Sequence, residues 1–184
     1  MMAIMSDDFS AILERLPGVE KRHGAGEAVF LRGDAIAALH WVRHGMVHVA
    51  RHLEDGATLI IQRAGPGDLV SEPSLHAQCY HCDAAAVLPT VTKAIDAAAF
   101  RAELAANPVF SNAWTRHLAR EVQNARARAE MLTIRTVEKK LDAWLALNGG
   151  VLPEKGEWKA LAGEIATSPE ALYREIARRP AARR

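Results

Sequence analysis

This chain lacks most of the features that mark secreted, membrane or catalytic proteins. It has only two cysteines, Cys79 and Cys82. They lie too close together to staple a fold, so no disulfide framework is expected and a reducing compartment is the simplest setting. No run approaches the roughly 18 apolar residues of a membrane span. The opening MMAIMSDDFSAILERL has no basic start or long apolar stretch and turns acidic early. No secretory leader is therefore expected, and the cytoplasm is the expected location. Gly-x-Ser-x-Gly, P-loop and HExxH motifs are missing, so an enzyme has least support.

What is present is ordinary in bulk and uneven in detail. A chain of 184 residues, 49% hydrophobic and 24% charged, is long enough for one or two small domains with a real core. Its net charge of +1 hides two halves. Met1 to Ala113 carries 9 Lys/Arg against 13 Asp/Glu, a net of −4, and Trp114 to Arg184 carries 14 against 9, a net of +5. The basic half is where a phosphate backbone would be met.

The stretch LAGEIATSPEALYREIARR, Leu161 to Arg179, reads as helix, break, helix. Leu161, Ala162 and Ile165 give the first helix an apolar face, and Ala166-Thr167 is a short turn. Ser168 suits the N-cap, where a hydroxyl accepts a hydrogen bond from a free backbone N–H. Pro169 suits the first helical position, where its missing N–H costs nothing. Leu172 and Ile176 share one face, while Glu170, Arg174 and Ala177 point away with Tyr173 on the flank. Arg donates two hydrogen bonds to guanine and Glu accepts from cytosine, so this face suits a major groove. The plain alternative is a surface ion pair between Glu170 and Arg174.

Upstream, Phe9, Ile12, Leu13 and Leu16 mark a short amphipathic helix that Pro17-Gly18 ends. Strand-like segments follow at Gly26–Asp34, Leu39–Val42, Met46–Arg51 and Leu59–Arg63, with a strand pair within Ala84–Ile95 and a hairpin turn at Glu54-Asp55-Gly56. Short strands with Gly-rich turns predict a closed antiparallel roll. Gly33, Gly45, Gly56 and Gly67 are read as corner residues. His23, His40, His44, His48 and His52 are read as surface residues rather than ligands. Residues 96–107 form a short helix and Pro108 opens a long one. Along it Trp114, Leu118, Val122, Ala125, Ala129 and Leu132 are spaced 4, 4, 3, 4 and 3, close to a heptad seam that would pair two copies in parallel. Thr133–Leu147 is a further helix that Asn148-Gly149-Gly150 stops.

AVFLRGD, WVRHGMVHVAR, EDG and PGDLVSEPSL stand in the order and approximate spacing of the cyclic-nucleotide-binding β-roll. SPEALYREIAR resembles the recognition helix of the Crp–Fnr superfamily of bacterial regulators. The resemblance implies an α+β protein: a β-roll sensor domain over 1–107, a dimerisation helix over 108–132 and a helix-turn-helix domain over 133–184. It implies a homodimeric, sequence-specific DNA-binding regulator on a palindromic operator. RNA polymerase and a small-molecule effector are its implied partners. Its DNA contacts carry over to Glu170, Tyr173 and Arg174, with Ser168 and Arg178 beside them. Winged members continue into a hairpin after this helix. Here ARRPAARR follows with no strand pattern, so Arg183 and Arg184 are expected either to meet phosphates or to be disordered.

In cyclic-AMP-binding relatives a Glu holds the ribose, and an Arg-Ser pair about ten residues later holds the phosphate. Glu72 matches the first, but Cys82 and Asp83 occupy the second positions. A thiol and a carboxylate cannot replace a guanidinium on a phosphate, so cyclic AMP is not expected as the effector. Cys79, His81 and Cys82 form the one chemically unusual cluster. It offers ligands for a transition metal or haem, or a thiol for redox sensing. A lone CxxC is a weak signal, and packing is the simpler role, so no cofactor is expected. The rival to a DNA-binding regulator is a sensor or interaction protein of the same fold that does not bind DNA specifically.

Overall fold

The structure is a computed structural model that describes residues 7–52, 54 and 58–179. Asp55 and Gly56 of the expected hairpin turn, and Arg183 and Arg184, lie outside the described residues. Those residues divide into two compact units at Leu118/Ala119.

The first unit opens with helix α1 (Asp7–Arg15) and continues through β1 (Gly18–His23), β2 (Ala28–Phe30), β3 (Ala38–His44), β4 (Val47–His52), β5 (Thr58–Ala64), β6 (Leu69–Val70), β7 (Asp83–Ala86) and β8 (Thr90–Asp96). Helix α2 (Ala97–Ala106) and the start of α3 (Pro108–Thr133) complete it. The strands form two four-stranded antiparallel sheets, ordered β1-β8-β3-β6 and β2-β7-β4-β5. The sequence pattern missed β1 and β6. VEKRH in β1 is almost wholly exposed and so lacks apolar alternation, and Leu69–Val70 is too short to show any.

Strand β3 shows why this unit needs two cores. Leu39, Trp41 and their neighbours His40 and Val42 are all buried, so both faces of the sheet are covered. One face carries Leu39, Trp41, Leu69 and Ile95 against Phe9 and Leu13 of α1, Phe100 of α2, and Phe110 and Trp114 of α3. The other faces the second sheet, with Val42 and Val70 against Phe30, Val47, Val49, Tyr80 and Ala84. Each large apolar side chain fully buried in this way contributes about 1.5–3 kcal/mol. Gly45 turns the β3–β4 corner at φ 87°, where an added Cβ would lie 2.4 Å from the Thr90 hydroxyl oxygen and 2.6 Å from the Pro89 carbonyl oxygen. Conformation and space both require glycine there.

The second unit comprises the rest of α3, α4 (Val137–Leu147), α5 (Trp158–Glu164) and α6 (Pro169–Arg178). Its core is Met131, Leu141, Trp144, Leu161, Ala162, Ile165, Leu172 and Ile176. Helix α4 starts four residues later than the pattern predicts. Thr136 has extended backbone geometry and caps the Lys139 N–H, leaving Ile134 outside the helix.

Candidate nucleic-acid interface and effector pocket

The α5–α6 break forms as its residues dictate. Ser168 is extended (φ −75°, ψ 148°), and its hydroxyl accepts from the Ala171 N–H at 3.2 Å. Pro169 follows at the first position of α6. Ala166 carries the turn in the left-handed region at φ 47°, a conformation that costs an alanine energy. Neighbours hold it there: Thr167 N–H donates to the Ala162 carbonyl at 2.9 Å and Lys140 Nζ donates to the Ala166 carbonyl at 2.9 Å.

Leu172 and Ile176 are buried, and Glu170, Tyr173 and Arg174 are exposed. Among the described residues no ion pair joins Glu170 to Arg174. The Glu170 carboxylate instead accepts from its own backbone N–H and from the Ser168 hydroxyl, which hold its pKa below the usual carboxylate range. The Tyr173 ring leans on Trp158 with centroids 5.7 Å apart, which restrains it while leaving 41% of the residue exposed. Arg174 is left with its guanidinium outward and no protein partner among the described residues.

Arg178, expected among the DNA contacts, is exposed and is also paired within the chain. It pairs with Glu175 at 2.9 Å and Glu138 of α4 at 3.1 Å, and the nearby Glu175 charge raises its pKa further. Next to it, Arg179 is buried. It bonds Glu175 at 3.0 Å, Asp142 at 2.8 Å and the Glu138 carbonyl at 2.9 Å. The two arginines thus tie the end of α6 to α4. No spacing rule flags Arg179, because its partners lie about forty positions upstream as well as one turn away.

The seam on α3 also divides. Trp114 was expected at a dimer interface, but it is buried in the chain's own core, with Phe100 at 5.0 Å and the Phe9 ring stacked at 6.2 Å. Leu118 packs against the same core. The physical reason is that the first three turns of α3 must cover the sheet. The remaining positions, Val122, Ala125, Ala129 and Leu132, are exposed, with Val122 at 49% and Leu132 at 46%.

The expected effector residues are committed elsewhere. Glu72 is buried, and its Oε1 lies 3.0 Å from Nε2 of the equally buried His117 of α3. Its Oε2 accepts from Gln62 Nε2 at 3.1 Å, and Gln62 Oε1 in turn accepts from the Ser71 N–H. His117 stacks between Phe9 and Trp114, at 5.8 and 5.4 Å. Asp83 accepts from the Arg32 N–H at 2.8 Å and lies 3.7 Å from His52 Nε2. Cys82 is partly buried, with Arg51 Nη2 3.7 Å from its sulfur. Glu72, Cys82 and Asp83 therefore present an engaged carboxylate, a thiol and an engaged acid. His117 and Gln62 escaped the sequence reading because their pairing is purely tertiary.

Two histidines read as surface residues are buried instead. His23 Nε2 and His40 Nδ1 lie 3.2 and 3.5 Å from the Thr92 hydroxyl, between the sheets. Desolvation lowers the His40 pKa to about 4, helped by Lys21 and His23. Half-buried His48 is likewise lowered to about 4 by burial and by Arg63. Among the described residues no group of three or more His, Cys, Asp or Glu is arranged to hold a metal ion. Both cysteines are free and partly exposed. No described helix is long and apolar enough to cross a membrane.

The chain's resemblances extend this geometry. Residues 20–107 match the family model of the Cyclic nucleotide-binding domain. Among solved structures, FixK2 from Bradyrhizobium japonicum superposes with a TM-score of 0.77 at 15% identity, covering 88% of this chain and 84% of that one. The c-di-GMP responsive global regulator CLP from Xanthomonas campestris gives 0.71 at 17% identity, covering 94% and 90%. TTHB099, a transcriptional regulator of the CRP family from Thermus thermophilus, gives 0.67 at 21%, covering 85% and 82%. No curated protein sequence gives a significant match. Residues 20–107, just under half of the chain, thus resemble the Cyclic nucleotide-binding domain, and the chain shares its fold with these three solved regulators.

Proposed function

We propose that this protein is a homodimeric, sequence-specific DNA-binding regulator whose effector is not cyclic AMP. The observation that carries the reading is the outer face of α6. It presents Arg174 with no protein partner among the described residues, beside a restrained Tyr173 and an anionic Glu170, on a helix anchored from behind by Leu172 and Ile176. Polar groups held outward on a rigid element lose little entropy on binding base edges. The exposed Val122, Ala125, Ala129 and Leu132 form the dimer contact, with alanines that let two helices approach closely. Twofold pairing would place the two α6 helices on half-sites about one helical turn apart.

Arg174 reads a base, and Arg178 serves mainly to hold α6. Gel shifts on selected palindromic DNA test this. Arg174→Ala should cost roughly 1–3 kcal/mol at one base position and relax specificity there. A uniform loss on every sequence would make Arg174 a phosphate contact only. Val122→Glu should abolish both dimerisation, followed by sedimentation, and the operator shift. A wild-type protein that stays monomeric and shifts no sequence preferentially would instead favour a sensor without specific DNA binding. Calorimetric titration with cyclic AMP should give no binding, and a micromolar response would overturn that part of the reading.

A further inference from the structure

A cleft of about 420 Å³ opens at one end of the β-roll, lined by Arg32, Gly33, Arg51, Cys79, Tyr80 and His81. Glu72 is not among its lining residues.

Its walls are firmly held. The turn carrying Arg32 is stitched to the segment carrying Tyr80: Gly33 N–H donates to the Tyr80 carbonyl at 2.9 Å, and Tyr80 N–H donates to the Asp34 carbonyl at 3.0 Å. Ala35 and Cys79 add a β-bridge. The Tyr80 ring stacks on Phe30 at 3.7 Å, nearly parallel, and its hydroxyl donates to the Ala38 carbonyl. Arg51 enters from β4, a separate piece of backbone. Two arginines therefore reach one cleft from two supports that cannot easily move apart.

Nearby carboxylates are already engaged. Asp34 Oδ2 accepts from the Leu31 N–H at 2.9 Å, and Asp83 accepts from the Arg32 N–H and lies beside His52. Among the described residues neither Arg32 nor Arg51 has a carboxylate partner, and the one side-chain contact of Arg51 is the long one to Cys82. Two guanidinium forks with an exposed imidazole beside them match the donors that a phosphate dianion takes up, since Arg pairs with phosphate through two parallel N–H···O bonds.

From this arrangement we infer that the Arg32–Arg51 cleft binds a phosphate group, either free phosphate or the phosphomonoester of a small molecule. Arg32 and Arg51 supply the paired hydrogen bonds and His81 a further donor at the rim. In the regulator reading this ligand is the effector. The cleft rests on that reading only for its consequence, because binding is measured without DNA and either idea can fail alone.

The test is calorimetric titration of the full chain at constant ionic strength with inorganic phosphate and, separately, with glucose 6-phosphate. Saturable binding is expected for at least one of them. Arg32→Gln and Arg51→Gln should each weaken it about tenfold or more, the loss of roughly one strong hydrogen-bonded contact. Arg22→Gln, an exposed arginine on β1 paired with Glu20, should leave it unchanged. Tighter binding of the ester identifies a phosphorylated small molecule, and tighter binding of inorganic phosphate identifies the free anion. No saturable binding of either probe overturns the inference. So does an equal loss in all three variants, which would mark nonspecific attraction to positive charge. Thermal melts unchanged from the parent establish that the variants are folded, as exposed Arg→Gln changes should be.

Discussion

The interior of the β-roll and the outer face of α6 treat their polar side chains in opposite ways. Inside the roll, Glu72 bonds His117 and Gln62, and Thr92 bonds His23 and His40, although His23 Nδ1 and His117 Nδ1 stay buried without a partner. On α6, Arg174 has no protein partner among the described residues, and Glu170 bonds only within its own cap. The cause is dielectric. A buried polar group without a partner costs several times what an exposed one does, so the fold pairs each of the six side chains inside the roll through at least one atom. A charged side chain with no partner is therefore tolerated best at a solvent-facing surface, and such a surface is where a ligand or a nucleic acid finds donors ready.

This contrast can be broken first at the Glu72–His117 pair. His117→Ala should cost roughly 3–5 kcal/mol, because it strands a buried carboxylate. Replacing both residues with Leu should recover much of that loss. Urea unfolding measures both variants, and a cost for His117→Ala below about 1 kcal/mol would show the pair to be uncommitted.

Acid should sharpen the same point. His40 has its pKa lowered from 6.5 to about 4 by burial, so between those values the unfolded chain takes up a proton that the folded chain refuses. Its contribution to stability is complete above about pH 6.5 and declines as pH falls toward 4, by roughly 3 kcal/mol in all. His48 acts in the same direction. Urea midpoints measured across this window should fall with pH, and His40→Gln should flatten the slope.

Smaller effects are expected on α6. Ser168→Ala should lose the N-cap, about 1 kcal/mol, and lower the melting temperature. Arg178→Ala breaks ion pairs with exposed Glu138 and buried Glu175, but Arg179 still holds Glu175, so it should lower the melting temperature less than Ser168→Ala does. It should also affect DNA binding less than Arg174→Ala does. The reverse order would return Arg178 to the DNA face.

How much of this was legible beforehand differs by region. The α5–α6 break could be read because Ser168, Pro169 and the apolar spacing act over four residues, within reach of a helix turn. The outward set of Glu170, Tyr173 and Arg174 follows from the same period. Most strands were legible from turn residues, whereas β1 was not, since it packs without apolar alternation. The α3 seam was legible as a periodic stripe, but its use was not. Trp114 and Leu118 serve the chain's own core, while Val122, Ala125, Ala129 and Leu132 remain exposed.

By itself, then, the sequence determined the existence of the main helices, the Ser168 cap, the outer face of α6 and the glycine corners at Gly33, Gly45 and Gly67, because each depends on neighbours a few residues apart. Only the tertiary structure decided that Glu72 is held by His117, that Arg179 locks α6 to α4, and that Arg32 and Arg51 meet at one cleft. Those partners lie 45, 41 and 19 positions apart in sequence. Local propensity carries no information over such separations, and burial decides which charges must be paired.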